Sequence, residues 1–67
     1  MNNNEWDNLL AHITFAQQEM KAEDYYYYML GMQAVFITNN MSQRDTIDKL
    51  AKLAEIKMLA MNKEQAT

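Results

Sequence analysis

The sequence predicts an all-α fold, a helical hairpin that assembles into a dimeric helix bundle. Three observations lead there. The 67 residues include no proline and one glycine, too few turn residues for a many-stranded sheet. Apolar side chains recur at intervals of three and four, the helical period, rather than at two. The two helices read from this pattern differ in length, which leaves apolar surface on the longer one for a second copy to cover.

The first helix is expected to run from about residue 5 to 38. It should start after Asn2-Asn3-Asn4, because asparagine caps helix N-termini and Glu5 and Asp7 suit the positive end of the dipole. Trp6, Leu9, Leu10, Ile13, Ala16 and Met20 mark one face. Lys21-Ala22-Glu23-Asp24 is the one place where the helix could break, giving a three-helix bundle with Asp24 as a cap. Lysine, alanine and glutamate are good helix formers, however, and no glycine or proline stands there. The continuous helix is therefore the expectation.

On that continuous helix Tyr27, Tyr28, Ala34 and Val35 extend the Trp6 face. Tyr25, Met29, Met32 and Phe36 lie opposite, and eleven of the thirteen residues from 25 to 37 are apolar or aromatic. Such a segment should be buried nearly all round, and Gly31 within it hints at the close approach of another backbone.

Thr38-Asn39-Asn40 is the expected stop, where asparagine tolerates a left-handed turn. Ser42 is the expected cap of a second helix over about 43–62, with Asp45 in the box position. Ile47, Leu50, Ala51, Ala54, Met58 and Met61 form its core stripe, and it should fray near Asn62. Residues 1–3 and 63–67 are expected to be disordered. A first helix of roughly 50 Å against a second of roughly 30 Å leaves Trp6, Leu9, Leu10 and Ile13 without a partner in their own chain. Self-association is accordingly expected through Leu9, Leu10, Ile13, Tyr28, Met32 and Phe36.

A chain of this size forms one domain, residues 1–67, and buries only about 60% of its unfolded surface. Without cysteine it has no disulfide or thiolate metal site to stabilise it, which again favours a homo-oligomer. The start carries no basic, apolar leader pattern and the longest apolar stretch is too short to span a bilayer, so a cytoplasmic protein with no membrane role is expected. The net charge of −3 is divided unevenly. Residues 1–42 hold five acids against Lys21, a balance of −4, while residues 43–67 hold five bases against four acids, a balance of +1. A nucleic-acid binder normally shows a basic excess, which this chain lacks.

Chemistry is sparse. His12 is the single histidine, and no carboxylate stands three residues before or after it, so the Glu-x-x-His signature of carboxylate-bridged metal bundles is missing. No metal, no cofactor and no catalytic residue is expected. Glu19 and Glu23 share a helical face, but on a solvated helix two such carboxylates merely repel. The methionines Met29, Met32, Met58 and Met61 could form an adaptable groove, although such stripes more commonly just pack.

Tyr25-Tyr26-Tyr27-Tyr28 is the most unusual feature. Four consecutive helical residues point four ways, and tyrosine is enriched at binding hot spots. On the second helix Lys49, Lys52 and Lys63 share the solvent side with Ile56 and Leu59. These features give a non-catalytic protein-binding module that regulates or inhibits a larger protein, of the kind a virus or mobile element would encode. Its expected contact residues are Trp6, Phe15, Tyr25, Tyr26, Lys49, Lys52, Ile56 and Leu59. Two other readings stand beside it. One is a small helix-turn-helix transcription regulator that contacts DNA through Gln43, Arg44 and Lys49. The other is a purely structural self-assembling bundle.

Overall fold

A computed structural model describes residues 2–65 as three α-helices joined by two short connections, with no strand among the described residues. Helix α1 spans Asn3–Glu19, α2 spans Ala22–Val35, a single 3-10 turn covers Phe36–Thr38, and α3 spans Met41–Gln65. The all-α expectation holds. The continuous first helix does not, and the alternative with a break near residues 21–24 is the observed one.

Asparagine opens α1 as its type predicts. The Asn2 side-chain oxygen accepts from the Glu5 amide at 2.8 Å, and its Nδ2 donates to the Glu5 carboxylate at 3.2 Å. Both groups of the amide are thus used at the first turn, in the manner of a capping box.

The break falls at Met20 and Lys21, two successive residues in extended conformation (φ −89°, ψ 151° and φ −63°, ψ 153°). Each helix closes with its own bond on its side of the break: the Met20 amide donates to the Ala16 carbonyl and the Tyr25 amide to the Lys21 carbonyl, both at 2.8 Å. Lys21, not Asp24, occupies the cap position of α2, with no side-chain cap bond, while Glu23 and Asp24 sit in the first turn at the positive end of the dipole.

Energetics explain why local propensity loses here. Ending one helix and starting another forgoes three or four backbone bonds, each worth about 1 kcal/mol net. Folding α1 back lets Trp6, Leu9 and Ile13 cover Tyr25, Met29 and Phe36, at about 1.5–3 kcal/mol for each large side chain removed from water. Packing wins, as it commonly does over weak propensities.

Helices α2 and α3 run antiparallel along their lengths. Gln33 Nε2 donates to Asp48 Oδ1 at 3.1 Å toward one end, and Lys21–Asp24 lie beside Met58, Met61 and Asn62 at the other. Small residues allow this close approach, since Ala51 and Ala54 are both buried. Helix α1 closes over the pair with its Trp6–Leu9–Ile13–Ala16 face. The core comprises Ile13, Tyr25, Met29, Phe36, Ile47, Ala51 and Ala54, one face of each helix at helical spacing.

The second connection also differs in detail from expectation. No non-glycine residue has a positive φ among those described, and Asn39 is extended (φ −79°, ψ 172°). Asn40, rather than Ser42, caps α3, with its side-chain oxygen accepting from the Gln43 amide at 2.9 Å. Ser42 lies inside the helix, where its carbonyl accepts from the Thr46 hydroxyl. Helix α3 continues past Asn62 to Gln65, and Asn3 is already helical. The expectation of disorder at residues 1, 66 and 67 lies outside the described residues.

Two further expectations are corrected. The 25–37 segment is not buried all round, since Tyr27, Leu30, Val35 and Ile37 are exposed. Gly31 faces open space, with nothing within 4 Å of where a Cβ would stand.

Candidate protein-binding surface

The expected contact residues divide sharply once the first helix folds back. Tyr25 is corrected from exposed anchor to core residue, at 3% exposure. Its ring stacks on Tyr28, with centroids 6.3 Å apart and planes at 23°. Burial, followed by the neighbouring Tyr28 hydroxyl, raises the Tyr25 pKa above the usual tyrosine value. Tyr26 is half-buried against the core, and its ring lies 5.5 Å from that of Tyr27. Trp6 is half-buried on Phe36.

The residues expected at a self-interface are mostly satisfied within one chain. Ile13 and Phe36 are buried, Leu9, Tyr28 and Met32 pack half-buried against the core, and Leu10 is half-buried. The length mismatch that called for a second copy disappears with the break at Met20, because α1 now has its own hairpin to cover.

Phe15 remains outside, 62% exposed on the polar side of α1. It borders an open hollow beside Asn8, Ala11 and His12. A lone exposed aromatic is ordinary for a protein surface, and the hollow is the side of one helix rather than a cleft.

The outer side of α3 is different in kind. Leu53, Ile56 and Leu59 are exposed at 62%, 54% and 54%, within two turns of one helix, and Lys49 and Lys52 stand exposed beside them. These lysines are weakly held: Lys49 meets Asp45 at 3.0 Å and Lys52 meets Glu55 at 3.9 Å, both on the surface. Exposed pairs of this type contribute about 0–1 kcal/mol, so either lysine can turn to another acid at little cost. Leu53 was not among the expected contacts. The signal was in the spacing, since position 53 falls three residues before Ile56 and well away from Ile47, Ala51 and Ala54 around the helix.

Two of the three residues expected to contact DNA are held against the turn. Arg44 Nη1 donates to the Ile37 carbonyl at 3.4 Å, and Asn39 Nδ2 donates to the Gln43 side-chain oxygen at 3.4 Å. Both Gln43 and Arg44 are half-buried. Helices of a helix-turn-helix cross at roughly 90–120°, whereas α2 and α3 lie antiparallel.

A second hollow, of about 210 Å³, lies between the start of α2 and the end of α3, lined by Lys21–Asp24, Met58, Met61 and Asn62. Ligand sites commonly measure about 300–1,000 Å³. Among the described residues no three of His, Cys, Asp or Glu cluster so as to hold a metal ion. No helix among them is long and apolar enough to cross a membrane. Comparison with known protein families, with curated proteins and with solved structures finds no match for this chain.

Proposed function

We propose that this chain is a non-catalytic protein-binding module that regulates or inhibits a larger protein by occupying a surface on it through the outer face of α3. The observation that carries the reading is the exposed Leu53–Ile56–Leu59 ridge flanked by Lys49 and Lys52. Large apolar side chains clustered on a surface and rimmed by polar groups mark interaction sites. The lysine flank selects the partner's chemistry, an apolar groove or helix bordered by acidic residues. A small domain with three helices, whose hollows beside Phe15 and between α2 and α3 are both open to solvent, offers little enclosure for a substrate, which favours binding over catalysis.

The DNA-regulator reading draws less support, because Gln43 and Arg44 are engaged in the turn and only Lys49 of its three contacts is exposed. Affinity capture from extracts of the source cells tests the proposal. Wild type should retain a protein that Ile56→Asp/Leu59→Asp, still helical by circular dichroism, does not. Identical captured sets would remove the α3 face from consideration. Salt-dependent binding to duplex DNA that weakens in Lys49→Ala would replace it with the nucleic-acid reading.

A further inference from the structure

We infer that the α3 ridge also accepts a second copy of this chain, head to tail. The outer face of α1 of one molecule seats on Ile56 and Leu59 of the next, with Asp7 and Glu19 against Lys52 and Lys63. The inference rests on the reading of the ridge as a binding face and names one occupant of it.

A ridge flanked by lysines calls for an apolar helix face bordered by acids, and α1 carries one. Asp7, Ala11, Phe15 and Glu19 follow each other at intervals of four, a single row along the helix surface. All four are exposed, away from the Trp6–Leu9–Ile13–Ala16 face that packs on the hairpin. Phe15 alone is an ordinary surface aromatic. What sets it apart is the acid at either end of its row and the open hollow beside it, over Asn8, Ala11 and His12. Helix α1 holds Glu5, Asp7 and Glu19 and no lysine or arginine, a balance of −3. Residues 49–63 of α3 hold four lysines against Glu55, a balance of +3.

The spans agree as well as the signs. Asp7 and Glu19 stand about 18 Å apart along their helix, and Lys52 and Lys63 about 17 Å apart along theirs. Laid together so that each lysine reaches an acid, the helices bring Ile56 and Leu59 onto Phe15 and the hollow over Ala11. Opposite charges then meet at both ends of an apolar centre. Lys52 gives up only a surface pair with Glu55 at 3.9 Å. Both faces point away from their own core, so they cannot meet within one chain.

The contact joins two different faces, and a two-fold axis does not close it. Each molecule keeps one face of either kind for the next, so association continues past a dimer into a chain or ring. One helix pair is a small interface, and it should form at concentrations on the order of 100 micromolar and weaken with added salt. The second copy and the larger partner use the same ridge, so each excludes the other.

Sedimentation velocity with light scattering, from micromolar to millimolar protein, tests the inference. The mean mass of wild type should keep rising past that of a dimer, and less so in high salt. Phe15→Ser and Ile56→Ser/Leu59→Ser, both folded by circular dichroism, should each associate at least tenfold more weakly. Mixed in equal amounts they should form a one-to-one dimer and nothing larger, because only one intact pair of faces remains. Lys52→Glu/Lys63→Glu and Asp7→Lys/Glu19→Lys should each abolish growth, and the four changes in one chain should restore it. A wild-type monomer throughout overturns the inference, as does a dimer that stops growing or growth untouched by Phe15→Ser. Phe15→Ser keeps the α3 ridge whole, so its capture of the larger partner reads the proposed function separately.

Discussion

The rings of Trp6 and Phe36 meet with centroids 5.7 Å apart and planes tilted by 56°. This contact ties the first turns of α1 to the 3-10 turn that follows α2. It is the geometry of a tilted aromatic pair, worth about 0.5–1.5 kcal/mol beyond the area it buries. It also closes the open end of the α1–α2 hairpin, whose bend is at Met20 and Lys21.

Phe36→Ala should therefore be severe. The side chain is fully buried, and truncating a buried phenylalanine costs about 3–5 kcal/mol. A domain of this size has only about 3–10 kcal/mol in total. Urea denaturation should show a large fall in the midpoint or a protein already partly unfolded in buffer. Trp6→Ala, at a half-buried site, should cost less. A Phe36→Ala protein as stable as wild type would mean that α1 does not dock on the hairpin.

The cap assignment at α3 gives a sharper test. Asn40→Ala removes the 2.9 Å bond to the Gln43 amide and should cost about 1 kcal/mol. Ser42→Ala, one position inside the helix, should change stability by less than about 0.5 kcal/mol. Thermal unfolding of the two variants side by side decides between them. The reverse order would place the cap at Ser42 after all.

These two sites show what was legible in the sequence and what was not. The helical period, the Trp6–Ile13 face and the Ile47–Ala51–Ala54 stripe are all visible as spacing, and both faces belong to the core in the structure. The break at Met20 was not, because no residue there disfavours helix. It arises from packing between Trp6 and Phe36, thirty residues apart, which no local pattern records. That single bend moves Tyr25 from the surface to the core and turns Tyr27 outward. The exposed side of α3 could be read because α3 is continuous, so Lys49, Lys52, Ile56 and Leu59 are exposed where the helical period puts them, whereas Tyr25 is not.

Gly31→Ala should stabilise the monomer. Alanine is favoured over glycine in a helix interior by about 1 kcal/mol, and the new methyl group meets no neighbour. The gain should appear in chemical denaturation at dilutions where the chain is monomeric. A loss there would mean that the backbone near residue 31 is not regular helix.

Tyr25 should make stability fall in alkali. Its folded pKa is raised, first by burial and then by Tyr28, so the folded state favours the protonated phenol. Such a group contributes fully below its unfolded pKa of about 10, and the contribution is lost as pH rises through the higher folded value. Wild type should lose stability more steeply than Tyr25→Phe above about pH 10, with the two running parallel at neutral pH. Equal slopes would place the Tyr25 hydroxyl in water.

The α3 ridge gives the last prediction, and it separates binding from folding. Ile56 and Leu59 point away from Ile47, Ala51 and Ala54 and are more than half exposed. Substituting either with aspartate should leave stability within about 0.5 kcal/mol of wild type, since no core contact is lost. The same change puts a negative charge on a ridge bordered by Lys49 and Lys52, and it repels an acidic partner. Partner affinity should then drop by tenfold or more, whereas Lys49→Ala and Lys52→Ala should chiefly slow association and weaken its salt dependence. Thermal melts and surface binding measured on one preparation can read both effects. If Ile56→Asp unfolds the chain, the ridge is part of the core. If it neither unfolds the chain nor weakens binding, the partner docks elsewhere.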